Sequence, residues 1–366
     1  MSDLIFVPRE EYGLLAETVS RLLSEPSSPP KDWKAVWADL AQSGTLAVGL
    51  PEDEGGLDDA RAVSIVAEQL GRHGTVSPFV GSSAVVARLL AKSPVPTSTV
   101  DLRVGLVDGS AIATVALLSD RPLNVVQAGD KFTLNGARRL VPFGAEADHV
   151  LIEGVSSDGS RALMLVPKSS YRVERAVIGI DGCPYADIVF SNGVIDGERV
   201  LGAGIEAERR WAWCRDAYLA TLCADAVGAM ATLVRMTGDY LKVRRQFGAP
   251  LSSYQVLQHR FVDMDMALTE SRTVVEWAAG LLDADDDRER RQAAATAHFI
   301  VTRAATKISQ DSVQLHGGIG MAQETAVGRY FKRLLALPLM FGDEDVPLTL
   351  YGASTAAAVT SPSMHS

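Results

Sequence analysis

The sequence predicts an α+β protein in three parts: a helical N-terminal domain over residues 1–100, a middle β domain over 101–203 and a four-helix bundle over 204–353, followed by a tail at 354–366. Three observations carry this prediction. Apolar residues recur with a helical period up to about Lys92. Between Val104 and about Val200 the period gives way to short β-rich runs separated by turn pairs. Beyond Gly204 the helical period returns in segments long enough to build a bundle.

Trp33, Val36, Trp37 and Leu40 fall at i, i+3, i+4 and i+7 behind the helix-starting Pro29-Pro30, which puts two indoles on one buried face. Gly44 ends that helix, and Leu50 to Gly56 reads as a turn-rich loop. Helical spacing resumes from Ala60 to Leu70, ahead of Gly71, and again from Ser82 to Ala91. Composition changes at Ser93-Pro94-Val95-Pro96, and Asp108-Gly109, Asn135-Gly136 and Asp196-Gly197 read as turns between strands. The bundle helices are expected at about Ala207–Lys242, Ser253–Asp283, Glu289–Gln314 and Glu324–Leu337. The acidic run Asp283 to Asp287 reads as a solvated loop between helices rather than a metal site. No internal repeat or low-complexity tract stands out.

With 366 residues, 47% apolar and 22% charged, the chain reads as an ordinary globular protein with room for several cores. A net charge of -10 argues against nucleic acid as a partner, although the local pair Arg244-Arg245 can still hold a phosphorylated small molecule. The three cysteines, Cys183, Cys214 and Cys223, show neither metal-ligand spacing nor a disulfide framework, so a cytoplasmic location is expected. The N-terminus does not read as an export signal, and no apolar run approaches the roughly 20 residues that membrane insertion takes, so none is expected.

Two segments suggest chemistry: Arg244-Arg245-Gln246-Phe247-Gly248 and Gln314-Leu315-His316-Gly317-Gly318-Ile319-Gly320. Each joins two helical stretches and offers a charged or backbone donor at a helix break, which suits a dinucleotide pyrophosphate. Together with Gly49 to Gly56, Glu68 to Arg72, Phe132 to Arg138 and Tyr254 to Arg260, they resemble the acyl-CoA dehydrogenase family almost from end to end. The resemblance implies FAD as cofactor and an acyl-CoA as substrate, with an electron-transferring flavoprotein as electron acceptor. It also implies site roles. Arg244 would neutralise the FAD pyrophosphate of a neighbouring subunit, Gln246 would add a polar contact and Phe247 an apolar wall. Gln255 would lie near the same cofactor, and Gln314, Gly317 and Gly318 would let a tight turn approach it. His316, inside that turn, reads as structural or flavin-adjacent.

The family's reaction needs a carboxylate base, and here the pattern departs from the family. The segment matching the common Tyr-Glu-Gly-Thr base site reads Met340-Phe341-Gly342-Asp343, and the alternative base position on the first bundle helix falls on Tyr218, followed by Leu219 where Arg is usual. The flavin-lining Thr-Glu-Pro region reads Ala116 to Pro122, and the element that covers the flavin ring reads Leu140-Val141-Pro142. The half of the site that reaches into a neighbour is therefore present, and the half that houses ring and base is not. This asymmetry resembles the β-type subunit of the α2β2 heterotetrameric dehydrogenases of bacterial steroid degradation, as does Leu222 to Met230, and it implies a homologous α-type partner subunit. Two alternatives remain. Asp225, set among apolar residues near Tyr218 on the same helix, is a candidate base for a self-sufficient homo-oligomer, or else pairs with an arginine across the bundle. Asp343 and Glu344 are weaker candidates. The other alternative is a non-catalytic scaffold subunit.

Overall fold

Asp32 opens the first well-packed helix of the N-terminal part: its carboxylate accepts from Lys34 N and caps α2 (Trp33–Gln42), which follows α1 (Glu10–Leu22). The computed structural model describes residues 10–26, 28–92, 99–117, 123–321 and 325–341. The two indoles of α2 part company. Trp37 is buried, and its Nε1 donates to the Gly109 carbonyl at 3.0 Å, whereas Trp33 is half-buried and meets Phe143 of the β domain edge-on at 5.2 Å. Asp59 caps α3 (Ala60–Arg72) in the same way as Asp32. A wide π-helical stretch, Val80–Ala87, runs on into α4 (Arg88–Lys92).

One expectation fails next. Residues from Val104 were expected to be strand, but α5 (Val100–Asp108) is a helix, and Gly109 ends it in the left-handed region at φ 78°. An Asp-Gly pair marks a helix C-terminus as well as a turn, and a short apolar run has no decisive period. The first strand is β1 (Ala113–Val115). It is followed by β2 (Leu123–Ala128), β3 (Lys131–Pro142), β4 (His149–Ser156), β5 (Arg161–Pro167), β6 (Arg172–Ile178), β7 (Pro184–Asp196) and β8 (Val200–Ala203). They form one eight-stranded sheet in the order β6-β7-β3-β2-β4-β5-β8, with β1 joined in parallel to β4. Asn135-Gly136 is not a turn either. It lies inside β3, where the register against β7 shifts, and the Asn135 carboxamide oxygen accepts from Asn192 N there. The β2–β3 hairpin turns instead at Gly129-Asp130.

The bundle follows the predicted period. It comprises α6 (Ile205–Val243), a short hairpin of β9 (Arg245–Gln246) and β10 (Ala249–Pro250), α7 (Gln255–Leu281), α8 (Asp287–His316) and α9 (Ala326–Phe341). By length and composition α6 could cross a membrane, contrary to the sequence expectation, yet 89% of its most apolar window is buried inside the protein. It is the central core helix. Its contact with α3 is backbone on backbone: a Cβ on Gly71 would collide with the Asp225 carbonyl, and one on Gly228 with the Glu68 carbonyl. Those two glycines set how closely α3 and α6 approach.

The acidic run lies in the loop between α7 and α8 with Asp283, Asp285 and Asp286 exposed, as its charge predicts, and it also makes structural contacts. Asp283 takes a bidentate pair from the fully buried Arg88 at 2.8 and 2.9 Å and also pairs with Lys92, while Asp286 caps α8. Arg88 lies over the Trp213 ring, so this cluster ties α4 to the bundle. Cys183 is half-buried, Cys214 and Cys223 are buried, and all three are free thiols.

Candidate functional site

The hairpin after α6 presents the sequence-predicted residues outward. Arg244 closes α6, with its backbone N–H on the Tyr240 carbonyl at 2.8 Å and its own carbonyl accepting from Leu251 N at 2.8 Å. Its side chain is exposed and makes no ion pair or hydrogen bond among the described residues. Phe247 and Gly248 form the turn, with φ of 52° and 85°, the left-handed pair that a two-residue hairpin requires. Glycine adopts that conformation freely, but for phenylalanine it is strained. The Tyr254 hydroxyl braces the turn by donating to the Gln246 and Phe247 carbonyls. Even so, the Phe247 side chain is 93% exposed, and Gln246 and Gln255 beside it are exposed as well.

The glycine turn lies at the same pole of the bundle. Tyr240 stacks on His316 with ring centroids 4.5 Å apart, which joins the end of α6 to the end of α8. Gly317 stops α8 at φ 64°, and no atom of the described residues lies within 4 Å of where a Cβ on Gly317 or Gly318 would be. That leaves open space beside bare backbone, with Gln314 exposed on the last turn of α8. His316 is buried, with Nδ1 on the Ser312 carbonyl at 2.8 Å, and burial lowers its pKa. It packs as a structural ring. The pole thus brings together Arg244, Gln246, Phe247, Gln255, Gln314, Gly317 and Gly318.

Asp225 sits elsewhere, about 28 Å back along α6 at the usual helical rise. It faces a cavity of about 80 Å³ walled by Leu70, Thr75, Pro142, Phe143, Tyr218 and Leu337, among others. Its carboxylate is held bidentately by Arg333 of α9, Nε to Oδ1 at 2.9 Å and Nη2 to Oδ2 at 2.6 Å, while Nη2 also donates to the Thr75 carbonyl at 2.9 Å. Burial works against the Arg333 charge, but the Asp225 carboxylate and its hydrogen bonds outweigh that and raise the pKa above the ordinary guanidinium value. The guanidinium of Arg333 therefore keeps its charge. Tyr218, at the alternative base position, is buried in the same wall, and burial raises its pKa, so it stays a neutral phenol. On the other side of the cavity the Tyr185 hydroxyl donates to Asp181 at 2.7 Å.

Sequence alone did not point to Arg333, Asp181 or Tyr185. The one available signal was an arginine next to the apolar run of α9, opposite in charge to an acid stranded on α6. A second buried acid of α6, Asp216, also went unnoticed. It pairs with Arg290 at 3.1 Å and does not line the cavity. Of the segments where the family pattern breaks, Leu118 to Pro122 and the positions from Gly342 onward, including Asp343 and Glu344, lie outside the described residues. Within the described part, Leu140 has φ 49° at the end of β3, Val141 is buried and Pro142 lines the cavity.

Comparison with known proteins finds relatives of one family and one fold. Residues 220–355 match the family described as acyl-CoA dehydrogenase, C-terminal domain. The chain is 27% identical to the acyl-CoA dehydrogenase FadE27 of Mycobacterium tuberculosis over 81% of this chain and 82% of that one. It is 26% identical to FadE28 of the same organism over 95% and 98% of the two chains. Among solved structures, the ChsE4-ChsE5 complex from Mycobacterium tuberculosis superposes with a TM-score of 0.86, covering 98% of this chain and 100% of that one at 23% identity. Butyryl-CoA dehydrogenase from Megasphaera elsdenii superposes at 0.85 with 18% identity, over 96% and 100%.

Proposed function

The chain belongs to the acyl-CoA dehydrogenase family, and on that premise we propose that it completes the FAD site of a neighbouring subunit rather than housing a whole site itself. The cofactor is FAD, which supplies the hydride acceptor for oxidation of an acyl-CoA to its α,β-enoyl thioester. The residues at the bundle pole fit such a group: an unpaired guanidinium suits a pyrophosphate, and the Gly317-Gly318 backbone has room beside it. In this reading Arg244 neutralises the diphosphate, Gln246 and Gln255 donate to polar atoms, Phe247 covers an apolar edge, and the turn from Gln314 to Gly318 makes the close backbone approach.

The observation that carries the proposal is Phe247. A large aromatic that is 93% exposed, on strained backbone and beside an arginine without a partner among the described residues, is the signature of a surface that works only when covered. Roughly 28 Å of rigid helix separates it from the chain's own cavity, so hairpin and cavity serve different reacting centres. The wall of that cavity carries Tyr218 and the ion-paired Asp225 where a free base is required, so the base comes from a homologous α-type subunit that keeps one. A complex of two chains, ChsE4-ChsE5, shares this fold, which favours a heteromeric partner, and the steroid acyl-CoA dehydrogenase Tcur3481-Tcur3483 shares it too, which favours a steroid-derived acyl-CoA as substrate class. An electron-transferring flavoprotein as acceptor and a cytoplasmic location go with the same reading. The self-sufficient alternative, with Asp225 as base, requires its carboxylate to leave Arg333. The scaffold alternative leaves the unpaired Arg244 without a purpose.

Co-expression with a base-bearing homologue tests the proposal. We expect a colourless chain alone, and a yellow complex that turns over acyl-CoA once both chains are present. A yellow, active species made of this chain alone contradicts it.

A further inference from the structure

We propose that the Asp225–Arg333 pair is a plug that keeps this chain's own acyl chamber shut, so that the acyl chain under oxidation enters only the partner's chamber. The inference rests on the family reading above, which makes the wall around Tyr218 the place where an acyl α-carbon would lie. Three observations support it. The chamber holds only about 80 Å³, whereas small-molecule pockets run to about 300–1,000 Å³ and a cavity that takes benzene is about 150 Å³. The pair crosses the chamber from α6 to α9, and the additional bond from Arg333 to the Thr75 carbonyl draws in the segment that follows α3. The chamber cannot widen by moving α6 from α3 without losing the backbone contact at Gly71, which lies against the Asp225 carbonyl.

An acyl chain offers neither charge a substitute partner. To enter, it would have to leave a carboxylate and a guanidinium, now only 11% and 16% exposed, in an apolar surround. Tyr218, Phe143 and Pro142 are part of the remaining wall. The closure is thus electrostatic as well as steric, and removing both charged side chains together should open the chamber without stranding an ion.

Calorimetric titration of the full chain with CoA, butyryl-CoA and octanoyl-CoA tests this, because only an open chamber makes affinity depend on acyl length. For the wild type the three affinities should agree within about two-fold. The double variant Asp225→Ala with Arg333→Ala should bind octanoyl-CoA at least ten-fold more tightly than CoA. Tyr218→Ala, which enlarges the same chamber but leaves the pair intact, should show no such gain. Wild-type affinity that rises with acyl length overturns the proposal, as does a folded double variant with no gain, or a gain in Tyr218→Ala. If the alanine pair does not fold, the serine pair at the same two positions replaces it with the same expectation. Failure of the underlying family reading shows up separately, as flavin binding by the assembled protein that ignores Arg244, whatever the acyl length.

Discussion

A carboxylate among alanines and cysteines on a buried helix is stable only with a cation beside it, and for Asp225 that cation is Arg333, 108 residues away in sequence. Asp225→Ala alone leaves the Arg333 guanidinium buried without its partner. It should destabilise the fold by about 3–5 kcal/mol, and the double variant by clearly less; urea denaturation measures both. The need for a partner was legible in the sequence, since an ionised acid in an apolar period is costly. Its identity was not, because pairing across a bundle depends on which helix faces meet. Two histidines give a second test at this scale. Burial pulls His298 from 6.5 down to about 4, and burial together with the Arg199 charge does the same to His149. Both are neutral in the folded chain, while the unfolded chain takes up protons below about pH 6.5. Their contribution is therefore complete above about pH 6.5 and is lost as the pH falls towards 4. For His298 alone the loss is on the order of 2 kcal/mol at pH 5, which should appear as a lower urea midpoint there than at about pH 7.5. A midpoint unchanged between the two contradicts the assignment.

The contact of α3 with α6 shows what a glycine does for a whole element. Gly228 lets the two backbones touch at Glu68, and Gly71 does so at Asp225. Gly228→Ala should push the helices apart at a cost of about 1–3 kcal/mol, visible as a lower thermal midpoint, whereas Ala at the exposed Gly318 should leave stability unchanged. The helical period located α6 to α9 to within a few residues because each buries a long apolar stripe. It failed at α5, where a short apolar run ending in Asp-Gly fits strand and helix equally. It failed again at Asn135-Gly136, where a pair usual in hairpin turns is absorbed into β3 as a register shift. In both cases the deciding contacts come from other parts of the chain: α5 packs against the N-terminal helices, and β3 is held in place by β7.

In the whole molecule the three predicted parts share two of their cores, while a third, from Ala116 to Ile195, belongs to the β part alone. One apolar cluster runs from Val19 of α1 through α6 to Leu337 of α9, and a second joins α4, β5 and the first turns of α6. Sequence composition marks where the secondary structure changes, but it does not show that α6 is packed from every side. The same economy applies to the candidate site. The bundle-pole residues were legible because bends, glycines and an arginine leave a local pattern, whereas the contents of the chamber were not, because they come from α3, β3, β7, α6 and α9 together. On the proposed reading α6 carries two separate regions: a narrow chamber near its middle and, at its end, an exposed pole that grips the flavin of a partner. The most direct test is an FAD titration of the co-assembled protein, wild type against Arg244→Ala. Loss of one arginine–phosphate contact, worth about 1.5–3 kcal/mol, should weaken FAD binding by roughly 10- to 100-fold while the assembly stays intact by mass. Unchanged FAD affinity in an intact assembly would contradict the account.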